Sequence, residues 1–105
     1  MERLEVLKEY LKSDPDDSFL NYALALEYAK KLEFDKALSI LQNVIAKDEN
    51  YLGAYYQLGK LYEQSNNSGE AIAIYKKGIQ IAERLKNSKT LGELKEALMM
   101  LEDED

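Results

Sequence analysis

Asp14, Asp16 and Ser18 alternate as the first oxygen ligands of a calcium loop do. Such a loop needs glycine at its sixth place for a sharp turn, and glutamate at its twelfth to clamp the ion. Counted from Asp14, those places hold Phe19 and Ala25, so no calcium site is expected. Lys76, Lys77, Arg84, Lys86 and Lys89 form a mildly basic stretch, but Glu70, Glu83 and Glu93 are interspersed and no glycine-rich phosphate loop accompanies it. That pattern is a solvated face rather than a phosphate site. The chain has no cysteine and no histidine. Thiolate nucleophiles, zinc thiolates, iron–sulfur clusters and serine–histidine triads are therefore excluded. The carboxylates are spread at helical surface spacing, with no pair set apart as an acid/base couple. No catalytic residue, metal ligand or cofactor is expected, and the chain reads as non-enzymatic.

The rest of the composition bounds what the elements can be. The 105 residues are one domain's length. Apolar residues make up 46% and charged residues 32%, which suits a globular chain rather than a disordered one. One proline and five glycines are too few for a turn-rich all-β fold. The net charge of −6 comes largely from Glu102–Asp105, four consecutive acids that leave 14 bases against 16 acids elsewhere. Such a tail does not fit a nucleic-acid surface and reads as a solubilising end. No apolar run reaches the length of a signal peptide or a membrane span, which predicts a cytoplasmic location.

Hydrophobic spacing predicts six helices. Leu4, Leu7 and Leu11 mark the first, over 2–13. Asp14-Pro15 ends it, because the residue before proline avoids helical geometry. Asp16, Asp17 or Ser18 then caps the second, over 19–31. Further helices are expected over 35–47, 51–64, 70–86 and 91–102. The clearest loop is Ser65-Asn66-Asn67-Ser68-Gly69, where asparagine suits left-handed backbone and Asn67 or Ser68 can cap. Asn87-Ser88-Lys89-Thr90 is expected to break the chain before the last helix.

Laying the chain on itself at an offset of 34 residues shows an internal repeat. Residues 18–51 over 52–85 give seven identities: Tyr22/Tyr56, Leu24/Leu58, Tyr28/Tyr62, Ala37/Ala71, Ile40/Ile74, Ile45/Ile79 and Glu49/Glu83. Chance supplies about two at ordinary composition. In the second copy Tyr55 is followed by Leu58, Gly59, Tyr62, Ala71, Tyr75 and Gly78. This order of large aromatic, Leu-Gly, Tyr, Ala, aromatic and small residue resembles the tetratricopeptide repeat. The first copy matches less fully, with Asn21 in place of the leading aromatic, and neither copy ends in the family's proline. Packing explains the pattern: small residues at Ala25, Ala37, Gly59, Ala71 and Gly78 let helices approach, while Tyr28, Leu58, Tyr62 and Tyr75 fill the space between them.

The resemblance implies an all-α fold of helix–turn–helix repeats stacked as a short right-handed solenoid of about six helices. Residues 1–105 would form a single domain: a leading half-repeat over 2–17, repeats over 18–51 and 52–85, and a capping helix over 87–103. It also implies a concave groove lined by the first helix of each repeat, which takes a peptide or protein segment. By motif position that groove holds Phe19, Tyr22, Leu26 and Lys30 from the first copy, and Gly53, Tyr56, Lys60 and Glu63 from the second. Tyr22 and Tyr56 fall off the buried phase and would stand side by side. The other possibility is that Tyr22 and Leu26 pack beneath the N-terminal helix. Family members that clamp a free carboxylate use Lys and Asn where this chain has Tyr22 and Leu26, so an aromatic, apolar groove is expected. The partner is a protein or peptide, not nucleic acid or membrane. Exposed Leu4, Leu7, Leu11, Met99 or Met100 offers a second role, self-association into a homo-oligomer through the terminal helices.

Overall fold

The computed structural model describes residues 2–103, so the last two acids of the tail lie outside the described residues. Six helices run in order: α1 Arg3–Ser13, α2 Ser18–Lys30, α3 Phe34–Lys47, α4 Leu52–Gln64, α5 Ser68–Arg84 and α6 Ser88–Glu102. Among the described residues there is no strand. Close approaches divide the helices into two compact units, one holding α1 to α3 and one holding α4 to α6, with the division after Tyr51. In the first, α2 packs against both α1 and α3. In the second, α5 packs against α4 and α6, and α6 also reaches α4.

Local chemistry sets the helix ends. The Asp17 carboxylate accepts from the Leu20 backbone N–H at 2.7 Å and starts α2. Asn67 and Asn87 cap α5 and α6 in the same way, accepting from Glu70 N at 3.4 Å and Thr90 N at 3.0 Å. Each satisfies one of the donors that a helix start leaves open. The break expected at 87–90 instead falls at 85–87, and Ser88, Lys89 and Thr90 form the first turn of α6.

Three helices close alike. Leu32, Asn66 and Lys86 take left-handed backbone, with φ of 63°, 59° and 58°. The next N–H then reaches back five residues: Glu33 to Tyr28, Asn67 to Tyr62 and Asn87 to Ala82. This is the Schellman ending, which satisfies carbonyls the helix leaves open. The residue that closes one helix caps or precedes the next, so the connections stay short.

The core of the first unit holds Leu7, Ala23, Leu24, Ala25, Tyr28, Ala37, Leu41 and Val44. Leu7 is buried, not exposed as a stacking face on α1 requires, because α1 spends its apolar stripe on α2. In the second unit Tyr55 and Tyr75 are the largest fully buried side chains. Of the residues expected to fill the space between helices, Tyr28, Leu58 and Tyr75 are buried, whereas Tyr62 is only half-buried. The glycines work as the repeat pattern requires. A Cβ on Gly59 would stand 2.1 Å from the Tyr75 ring, and one on Gly78 would stand 2.8 Å from Tyr55 Cβ. Each tyrosine thus lies directly against the backbone of the facing helix. Among the described residues no buried side-chain nitrogen or oxygen lacks a hydrogen-bond partner.

Candidate functional site

The first unit gathers its groove residues around one cleft. Phe19, Tyr22, Leu26 and Lys30 line a hollow of about 310 Å³ together with Arg3, Ala23 and Glu27. Spacings of three and four along α2 put these side chains on one helix face. Phe19 is 60% exposed, whereas Tyr22 and Leu26 are half-buried. Tyr22 leans on Tyr51 with ring centroids 5.1 Å apart and planes tilted by 49°. Burial raises the Tyr51 phenol above its ordinary range, with Tyr22, Asp17 and Asp48 adding to the rise. Glu27 lies 3.5 Å from Arg3 and 3.2 Å from Lys30. This triad forms a polar margin beside the apolar floor. Arg3 brings α1 to the rim of the cleft rather than over Phe19.

The second unit gathers Tyr56, Lys60 and Glu63 on α4. The Lys60 ammonium sits 5.4 Å from the centre of the Tyr56 ring, within range of a cation–π attraction. It also lies 3.9 Å from Glu63. The Tyr75 hydroxyl donates a hydrogen bond to Glu63, and the Tyr56 and Tyr75 rings are 6.5 Å apart. Burial raises the Tyr75 phenol far above its ordinary range, and the Glu63 hydrogen bond and charge add to the rise. Tyr75 therefore stays a donor, and it fixes the carboxylate at the edge of the face. Glu93, Glu96, Ala97 and Met100 of α6 complete a small crevice with Tyr56 and Lys60.

The repeat register placed Phe19, Tyr22, Leu26 and Lys30 on α2 and Tyr56, Lys60 and Glu63 on α4, but it did not indicate the residues beside them. Arg3 and Glu27 in the first unit, and Glu93, Glu96 and Met100 in the second, come from contacts the repeat motif does not encode. Tyr75 as the partner of Glu63 had a signal, since a buried tyrosine hydroxyl normally finds an acceptor. Among the described residues no group of acidic side chains is placed to hold a metal ion.

Known proteins give this architecture a context. A model of the tetratricopeptide repeat matches residues 33–89. A tetratricopeptide repeat domain protein from Salinibacter ruber, solved by NMR, is 38% identical with a TM-score of 0.84, covering 88% of this chain and 93% of that one. A protein from Bordetella parapertussis is 27% identical with a TM-score of 0.88, covering 100% and 91%. The TPR2B domain of yeast Sti1 is similar in fold alone, at 18% identity and a TM-score of 0.88, covering 97% and 82%. No curated protein sequence matches the chain. With the repeat offset, the glycine–tyrosine packing and these likenesses together, the chain belongs to the tetratricopeptide repeat family.

Proposed function

We propose that this chain is a non-catalytic protein-interaction module that takes a peptide or protein segment on the exposed faces of α2 and α4. The observation that carries the reading is the α2 cleft. An apolar floor of exposed Phe19 and half-buried Tyr22 and Leu26 lies beside a charged margin of Arg3, Glu27 and Lys30. Exposed aromatic surface with a polar rim is what a protein-binding patch needs. Tyr56, Lys60 and Glu63 supply the equivalent position one repeat later. Structures of similar fold support the class of ligand: Sti1 domains have been solved as complexes with pHsp70 and with pHSP90. The chain is proposed to act in the cytoplasm. Among the described residues no helix is long and apolar enough to cross a membrane.

The test is affinity capture with the intact protein, followed by titration of the recovered partner against Phe19→Ala, Tyr22→Ala and Tyr56→Ala. Each variant is first checked for folding by circular dichroism. Anchor residues cost about 1–2 kcal/mol or more of binding when truncated. Unchanged affinity in all three variants moves the binding surface off these faces.

A further inference from the structure

The crevice between α4 and α6 carries charge that the chain itself does not use. Glu93, Glu96, Ala97 and Met100 line it from α6, at the spacing of three, four and seven residues that marks one helix stripe. Glu93 and Glu96 are both exposed, and among the described residues neither makes an ion pair or a side-chain hydrogen bond. Of the lining residues only Lys60 is cationic, and it is already engaged, over the Tyr56 ring and 3.9 Å from Glu63. Glu63, Glu93 and Glu96 thus set three carboxylates against one ammonium, a net of two negative charges. On the α2 cleft the balance is reversed, since Arg3 and Lys30 share the single carboxylate of Glu27.

Beside these acids the surface is apolar. Met100 is 61% exposed and Ala97 is buried, and Tyr56 lines the crevice from α4. The hollow holds about 100 Å³, the share of about three water molecules. That is room for one side chain rather than for a length of backbone. An apolar stem that ends in a cation matches both parts, because such side chains lay their stems along apolar surface and keep the charged head at the water. Arginine matches better than lysine. Its planar fork of donors can reach two carboxylates at once, and its guanidinium is more weakly hydrated than an ammonium.

We propose that the α4–α6 crevice selects an arginine of the bound peptide, its stem along Tyr56 and Met100 and its guanidinium between Glu93 and Glu96. The proposal rests on the reading of α4 as a peptide-binding face and adds the residue that this face selects. Both ion pairs would be exposed to water, so the crevice contributes choice of partner more than affinity.

The test is selection of a randomised short-peptide library, displayed on phage, against the intact protein. The recovered peptides are expected to share an arginine at one position. A fluorescent synthetic copy of the consensus is then titrated by anisotropy, beside a copy with citrulline, the neutral analogue, in place of that arginine. Glu93→Gln and Glu96→Gln, checked for folding by circular dichroism, are each expected to weaken the arginine peptide about two- to fivefold, as loss of one exposed ion pair does. Neither should change the affinity of the citrulline copy. Selection against the double variant Glu93→Lys/Glu96→Lys is expected to exchange the arginine for aspartate or glutamate. A wild-type consensus with no fixed arginine overturns the proposal. So does an arginine preference that survives in Glu93→Gln/Glu96→Gln, which would place the reading carboxylate elsewhere. Both of those results leave the peptide-binding reading of α4 standing, whereas a library that yields no binder overturns the two together.

Discussion

Replacing Gly59 with alanine isolates the contact that closes the second unit. The substitution adds one methyl group in the middle of α4, and on helix propensity alone it stabilises by about 1 kcal/mol. The structure reverses the sign. The new Cβ falls 2.1, 2.5 and 2.7 Å from Cε1, Cζ and Cδ1 of Tyr75, where 3.4–4 Å is ordinary contact. The ring must therefore retreat by more than an ångström. It has nowhere to go, since Tyr75 is fully buried and its hydroxyl is held by Glu63. Overpacking of a core costs about 1–3 kcal/mol. Expelling the ring altogether costs about 3–5 kcal/mol. Less the propensity gain, Gly59→Ala is expected to destabilise by about 2–4 kcal/mol. Gly92, in α6, has nothing within 4 Å of its virtual Cβ, so Gly92→Ala should stabilise by about 0.8–1 kcal/mol. Urea melts at constant slope read both changes from the midpoint. In the double variant Gly59→Ala/Tyr75→Leu the two losses should sum to less than their total, because they share one contact. Equal midpoints for Gly59→Ala and Gly92→Ala would refute the close approach of α4 and α5.

Three further outcomes follow from the same contacts. Tyr75 holds its proton more tightly folded than unfolded, so its stabilising effect is complete below the ordinary value of 10.0 and is lost as pH rises above it. Stability should fall by about 1.4 kcal/mol per pH unit there from this group alone, and melts of Tyr75→Phe between pH 9 and 11 should show a shallower decline. Asp17→Ala removes the cap of α2 and should cost about 1 kcal/mol, lowering the melting temperature by about 4–8 °C; Asp16→Ala breaks only an exposed ion pair with Lys47 and should change stability by less than about 0.5 kcal/mol. Tyr55→Ala should cost about 3–5 kcal/mol and half-buried Tyr62→Ala clearly less, an order that paired urea midpoints check directly.

Several features were determined by the sequence because their physics is local. Hydrophobic spacing placed all six helices to within a few residues. The oxygen of Asp17 or Asn67 meets N–H groups only three residues away, so caps can be read without knowing the fold. Asparagine at 66 announced a left-handed turn for the same reason. The small residues Gly59 and Gly78 were legible through the repeat, because a motif at fixed period records which positions face a neighbouring helix. The α2 and α4 face residues came from that register too.

Other features needed the tertiary structure. Tyr55, Leu58, Gly59 and Tyr62 share one stripe of α4, and the stripe does not say where the neighbouring helices stop. Tyr55 and Tyr75 are buried and Tyr62 is half-exposed because burial depends on the position of α5 and α6, which no spacing along α4 encodes. Leu7 is buried rather than available for stacking because α2 is there to receive it. Ser88 begins a helix instead of interrupting one because Asn87 both ends the Schellman turn of α5 and caps α6. Glu63 was placed in the groove by motif position alone, yet its carboxylate accepts a hydrogen bond from the hydroxyl of a tyrosine twelve residues later. Periodicity assigns a residue to a face, but only the packed neighbours decide what that face touches.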